Sequence, residues 1–136
     1  MTRWLSVLPL CLALAVPAGA VEERLDGAAF RALSEGYTLH FEQGGVHYGT
    51  EQYFRDRRSL WRPGGSDRCE EGRWYEENGA ICFIYEDEIG PACWHVIRRD
   101  GDVYARSVND PDGLAELHLY RRDRVPLNCK GPSVGT

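Results

Sequence analysis

Lysine is almost missing from this chain, with Lys130 the only one among 16 basic residues. The rest are arginines, and pairs such as Arg57-Arg58, Arg98-Arg99 and Arg121-Arg122 are interleaved with acids, as expected of solvent-facing strand ends. With a formal charge of -5, that balance sets aside nucleic acid and anionic membrane as default partners. No G-x-S-x-G occurs, so there is no nucleophile elbow. Gly44-Gly45 and Gly64-Gly65 are turns with no helix behind them, so no phosphate cradle is expected. No cysteine pair has the C-x2-4-C spacing of structural zinc. Linkers, low-complexity segments and a second domain are absent as well.

The one long apolar run, Trp4 to Val16, is too short to span a bilayer and is broken by Pro9 and Pro17. Arg3 before it and Ala18-Gly19-Ala20 after it make residues 1–20 read as a signal peptide, cut after Ala20. Leu8-Pro9-Leu10 lacks the small residue expected before a lipidated cysteine, so Cys11 leaves with the leader. The expected mature chain starts at Val21 in the periplasm or outside the cell, with no membrane span after cleavage. Taking 20 residues from 136 leaves 116, enough for one domain at 21–136 with a real hydrophobic core. Loss of Arg3 makes the chain one unit more acidic.

Cys69, Cys82, Cys93 and Cys129 remain, an even number in an exported small domain, which reads as two disulfides with three possible pairings. Cys82–Cys93 with Cys69–Cys129 is the expected set. The first would close a connection whose centre, Glu86-Asp87-Glu88-Ile89-Gly90-Pro91, is a turn, and the second would tie down the tail. By loop entropy they are worth about 3 and about 4 kcal/mol.

Asp26 is placed to cap a short helix over 27–34, with Gly36 to end it in a left-handed conformation. From there the pattern alternates. Tyr37, Leu39 and Phe41 share one side of a first strand, and Gly44-Gly45 turns into a second over 46–54. Residues 55–58 turn again into a strand over 59–62. Asn78-Gly79, between Gly72-Arg73-Trp74-Tyr75 and Ile81-Cys82-Phe83-Ile84-Tyr85, is the strongest hairpin cue. Asp100-Gly101 joins strands over 93–98 and 103–108, and a last strand is expected over 114–120. Residues 126–136 read as an irregular tail. No helical crossover is long enough for a parallel pair. The expected fold is mainly β: an antiparallel meander of about eight strands forming a small barrel or strongly curved sheet, with the short N-terminal helix plugging or flanking it. A two-sheet sandwich is the alternative.

Among polar residues, His40, His47 and Glu51 are expected to approach one another across the Gly44-Gly45 turn, a set able to hold zinc or copper. Strand histidines more often bond locally or face solvent. Glu70-Glu71, Glu76-Glu77 and Glu86-Asp87-Glu88 adjoin turns, and strand neighbours point to opposite faces, so paired carboxylate catalysis is disfavoured. Asp110-Pro111-Asp112-Gly113 lacks the ligand series of a calcium loop and reads as a turn. Rings populate nearly every strand, and a core filled by them is preferred to an open pocket. If there is a pocket, Tyr48, Trp61, Trp74 and Trp94 are the candidates to line it.

Tyr48-Gly49-Thr50-Glu51-Gln52-Tyr53, Gly72-Arg73-Trp74-Tyr75, Ile81-Cys82-Phe83-Ile84-Tyr85-Glu86 and Cys93-Trp94 carry a resemblance over the span from Gly45 to Cys93. That span, with the tail Leu127-Asn128-Cys129-Lys130-Gly131-Pro132, resembles an uncharacterised family of small exported alphaproteobacterial proteins classed as domains of unknown function. The resemblance implies an exported β-rich domain and transfers no catalytic residue. Its more distant members keep the equivalents of Cys82 and Cys93 alone, which favours that pairing. The leading functional expectation is non-enzymatic binding of a small ligand or an envelope protein in the periplasm, with no cofactor. The alternatives are a metal-dependent or hydrolytic enzyme using His40, His47 and Glu51, and a structural or inhibitory protein without a pocket.

Overall fold

The computed structural model describes residues 21–130, together with 1, 14, 15, 17 and 19. The apolar run of the leader, Cys11, the cut after Ala20 and the tail from Gly131 onward lie outside the described residues. The chain runs β1 (Glu22–Arg24), α1 (Gly27–Ser34), β2 (Thr38–Gln43), β3 (Val46–Tyr53), a 3-10 turn (Arg55–Arg57) and β4 (Arg58–Pro63). It continues through β5 (Glu70–Glu77), β6 (Ala80–Tyr85), β7 (Ala92–Arg99), β8 (Asp102–Ser107) and β9 (Leu117–Asp123). Strands β2 to β9 pair antiparallel in sequence order, and β9 returns to pair with β2. Every barrel edge is thereby consumed, so the meander closes as an eight-stranded barrel rather than a sandwich.

Local chemistry explains the turns. Asn78 and Gly79 sit at φ 50° and 74°, and Asp100 and Gly101 at 52° and 84°, the paired left-handed positions of a type I′ hairpin. Both turns fall where the dipeptides predict them. Two segments differ from expectation. The last strand starts at Leu117 instead of 114, because Asp110 Oδ2 accepts from Ala115 N at 2.8 Å and holds 114–116 in the preceding loop. Strand β1 has no alternation to announce it. Glu22-Glu23-Arg24 is extended because it pairs with β7 at Ile97–Arg99, beyond the point where β6 has ended.

Consecutive strands of a meander turn at alternate ends, and the two ends of this barrel differ. Helix α1 closes one of them. Asp26 caps it by accepting from Ala29 N at 2.8 Å, and Glu76 of β5 accepts from Gly27 N, which anchors the helix to the barrel wall. Phe30 then reaches inward and meets Tyr53, Trp74 and Phe83 edge-on at 5.5, 5.0 and 6.1 Å. Contacts of this kind add roughly 0.5–1.5 kcal/mol each beyond the area they bury. The other end carries the Gly44-Gly45 turn and the 64–69, 86–91 and 108–116 connections.

The two disulfides are Cys82–Cys93 and Cys69–Cys129. Cys82 and Cys93 face each other directly across β6 and β7. Cys129 ends a strap that leaves β9 and crosses the outside of the barrel. Val125 O accepts from Thr38 Oγ1 on β2 at 2.7 Å, and Leu127 N donates to Gln52 on β3 at 2.9 Å. Arg62 on β4 donates to Asn128 O at 3.1 Å. Two disulfides fit an extracellular or periplasmic protein. Among the described residues, no helix is long and apolar enough to cross a membrane.

Candidate functional site

The barrel interior is not completely filled. A cavity of about 120 Å³ extends from Phe30 and Leu33 of the helix toward Tyr48, Glu88, Ala92 and Trp94 at the open end. Its wall is almost entirely rings and aliphatic side chains, because alternate residues of every strand point inward. Apart from Glu88 at the mouth, Glu51 is the exception. It lies on the inner face of β3, between Leu39 of β2 and Trp61 of β4 in the register, and is 3% exposed.

Two phenols hold this carboxyl. Tyr53 donates to Oε2 at 2.8 Å and Tyr85 donates to Oε1 at 2.9 Å, so each oxygen has one partner. Burial raises the pKa of Glu51 to about 7, against the pull of the nearby Ser59 hydroxyl and the two tyrosines. The Ser59 hydroxyl makes no hydrogen bond of good geometry, so the two phenols are the hydrogen-bond partners of Glu51. Burial also raises Tyr53 and Tyr85, with Glu51 adding to both, so these phenols stay protonated donors. No arginine, lysine or histidine pairs with Glu51 among the described residues.

Of the four rings expected to line a pocket, Tyr48, Trp61 and Trp94 do so. Trp61 has room because position 49 is glycine. A Cβ there would fall within the indole, so the Tyr48-Gly49 step is built around that ring. Tyr48 lies against Trp61 at 5.8 Å and is 39% exposed at the mouth. Trp74 is corrected to the closed end. It lies on the inner face of β5, but Phe30 covers it from inside and the Arg57 guanidinium lies 4.8 Å from its ring, leaving it 3% exposed.

The set His40, His47 and Glu51 does not converge. His40 pairs in register with Thr50, whose neighbour Glu51 necessarily faces the other way. Both imidazoles bond Thr50 Oγ1 on the outer face, His40 Nδ1 at 3.1 Å and His47 Nε2 at 3.4 Å, while Glu51 faces the cavity. Among the described residues no group of three or more His, Cys, Asp or Glu is placed to hold a metal ion.

The outer face has its own polar line. Asp123 Oδ2 bonds His40 Nε2 at 2.9 Å, and the Tyr120 hydroxyl meets His47 Nδ1 at 3.0 Å. Asp123, His40 and Thr50 thus stand in carboxylate–imidazole–hydroxyl order, the order of a nucleophile array. Thr50 is only 1% exposed, and Arg121 lies 3.1 Å from His40 Nδ1, so the hydroxyl meets no substrate. Burial, then the Arg121 charge, lowers the His40 pKa against the pull of Asp123, so the surroundings favour the neutral ring. This cluster joins β2, β3 and β9.

The acidic clusters separate in the same way. Glu76 caps the helix, whereas Glu88 lines the mouth. Glu70, opposite Trp61, has Oε2 buried without a partner, and burial, then Glu88 and Asp87, raise its pKa. Sequence reasoning picked out Glu51 but gave it the wrong companions. The usable signal was parity: Glu51 and Tyr53 share a face of β3, and in register with Leu39 that face is the inner one. No family model, no curated protein and no solved structure matches the chain, so the site is read from its own geometry.

Proposed function

We propose that this is an exported, periplasmic barrel of the uncharacterised family it resembles, matured by cleavage after Ala20, and that it binds a small ligand through its open end without transforming it. One observation carries the reading: a cavity of about 120 Å³, walled mainly by rings and aliphatic side chains, with one buried carboxyl, Glu51, held by two phenols inside it and Glu88 at its mouth. Apolar walls with few placed polar groups are the usual make-up of a ligand site. The cavity is small, below the roughly 150 Å³ that accepts benzene, so the bound part is compact and any larger part projects from the mouth. A structural protein without a pocket would have a filled interior, and the enzyme reading loses its metal set.

Native mass spectrometry of the protein purified from its own periplasm tests this. The expected spectrum shows a chain starting at Val21 with both disulfides intact and a retained small molecule, released on unfolding. A bare chain from that source, with Trp61 and Trp94 fluorescence indifferent to periplasmic small-molecule extract, would refute ligand binding. A protein partner is the second reading, favoured by apolar side chains on the loops of the open end. Ile89 is fully exposed, and Leu114 is 88% exposed. A retained polypeptide in the same spectrum would select it.

A further inference from the structure

We propose that the ligand head which enters the barrel is a small organic cation, a protonated amine or quaternary ammonium, seated against Glu51. The inference deepens the ligand-binding reading and rests on it. Glu51 is an acid enclosed by the barrel with no basic partner among the described residues; two phenol donors point at it and nothing positive does. Burying a carboxylate without a countercharge is costly, and a cationic ligand offsets that cost where a neutral or anionic one does not.

The walls favour the same charge. Trp61, Phe83, Tyr85 and Trp94 line the same cavity as the carboxyl, and aromatic faces attract ammonium groups. The mouth agrees. Glu88 lines it, and Glu70 with its unpartnered Oε2 feels both Glu88 and Asp87, so an approaching cation meets negative potential and an anion is repelled. Among the described residues, no basic one lines the cavity. In proportion to the cavity that holds benzene, about 120 Å³ takes a head of roughly five non-hydrogen atoms. Tetramethylammonium has that size.

Proton competition gives the proposal a second signature. The titratable groups facing Glu51 are Tyr53 on its own strand, Tyr85 on β6 and, at the mouth, Tyr48 and Glu88, with Glu70 acting on Tyr85. Both phenols next to Glu51 are pushed upward, so Glu51 is the group that changes charge near pH 7. A permanently charged probe has no titration of its own, and Glu51→Gln separates the Glu51 proton from those of the acids at the mouth.

The test titrates the mature protein with tetramethylammonium, with neutral tert-butanol and with anionic pivalate, read by calorimetry and by tryptophan fluorescence. At pH 8, tetramethylammonium is expected to bind at least tenfold more tightly than tert-butanol, its neutral isostere, and than the slightly larger pivalate. Its affinity falls about twentyfold or more between pH 8 and pH 5.5, as expected for a site protonated at about 7. Glu51→Gln, which keeps the volume and removes the charge, is expected to lose at least tenfold in cation affinity and the pH dependence, while tert-butanol binding is retained. Equal or tighter binding of tert-butanol or pivalate overturns the cation and leaves the ligand cavity standing. Cation binding unchanged in Glu51→Gln overturns it too. Failure of all three probes overturns the cation proposal, and the native spectrum separately decides whether any ligand is held.

Discussion

Thr50 and Glu51 are one peptide apart on β3, and the two faces of that strand obey opposite rules. Outside, Thr50 sits in a line running Asp123, His40, Thr50, His47, Tyr120, in which each polar group has a partner. Inside, Glu51 has two phenols and otherwise rings and aliphatic side chains. A satisfied polar network ties elements together and asks for nothing further. An acid kept in an apolar cavity without a countercharge lowers the stability of the fold, and such a cost is retained where the group serves binding or chemistry. Solvent exposure does not separate the two faces, since both residues are buried. Satisfaction does.

The largest effect expected tests whether the outer face depends on its strap. Replacing Cys69 and Cys129 together by serine reopens a connection with a sequence separation of 60 and should cost about 4 kcal/mol in urea unfolding. The strap bonds Thr38, Gln52 and Arg62, all outside the barrel, so the cavity should keep its tryptophan fluorescence while the outer face loosens. A loss below about 1 kcal/mol would mean that hydrogen bonds alone hold the tail.

The next effect has the opposite sign and belongs to the inner face. Glu51 has its pKa raised from 4.5 to about 7 in the folded protein. The folded state therefore binds more protons between those values, so stability is full below 4.5 and is lost as pH rises through 7. The loss amounts to about 3 kcal/mol at pH 8. Glu51→Gln should recover most of it at pH 8 and gain little at pH 4, measured by urea midpoints across that range. A variant that is less stable than the parent at pH 8 would show that the carboxylate is a structural asset, and the contrast between the faces would collapse.

What was legible in the chain follows the same division between local and distant causes. Asp26, Gly36, Asn78-Gly79 and Asp100-Gly101 act through their own backbone, and the helix and hairpins stand where these residues place them. Cys82 and Cys93 flank a single turn, so their pairing was readable too. Strand β1 was not, because its cause is the stretch of β7 that β6 does not reach, more than seventy residues away. Trp74 and Trp61 have the same local pattern of a ring in a strand. Which one meets the cavity depends on Phe30 closing one end and on Gly49 making space at the other. His40, His47 and Glu51 look adjacent in sequence, but strand parity divides them, and parity becomes decisive only once the inner face is known.

The smallest effect sharpens the comparison from outside. His40 has its pKa lowered from 6.5 by burial and then by Arg121, against Asp123 and with a further lowering by His47. The unfolded chain therefore binds more protons, and this contribution is full above 6.5 and is lost as pH falls below it. In the parent protein Glu51 opposes that slope over the same range. Removing Glu51 should uncover it: Glu51→Gln is expected to lose stability as pH falls from 6.5 toward 5, where the parent stays level or gains. Adding Thr50→Val should cost about 1–2 kcal/mol at every pH, because it removes the hydroxyl shared by the two imidazoles while leaving the His40–Asp123 bond. If Thr50→Val instead changed the affinity for tetramethylammonium at pH 8 in the parent background, the two faces of β3 would be coupled through the strand, and the outer line would have to be counted as part of the binding site.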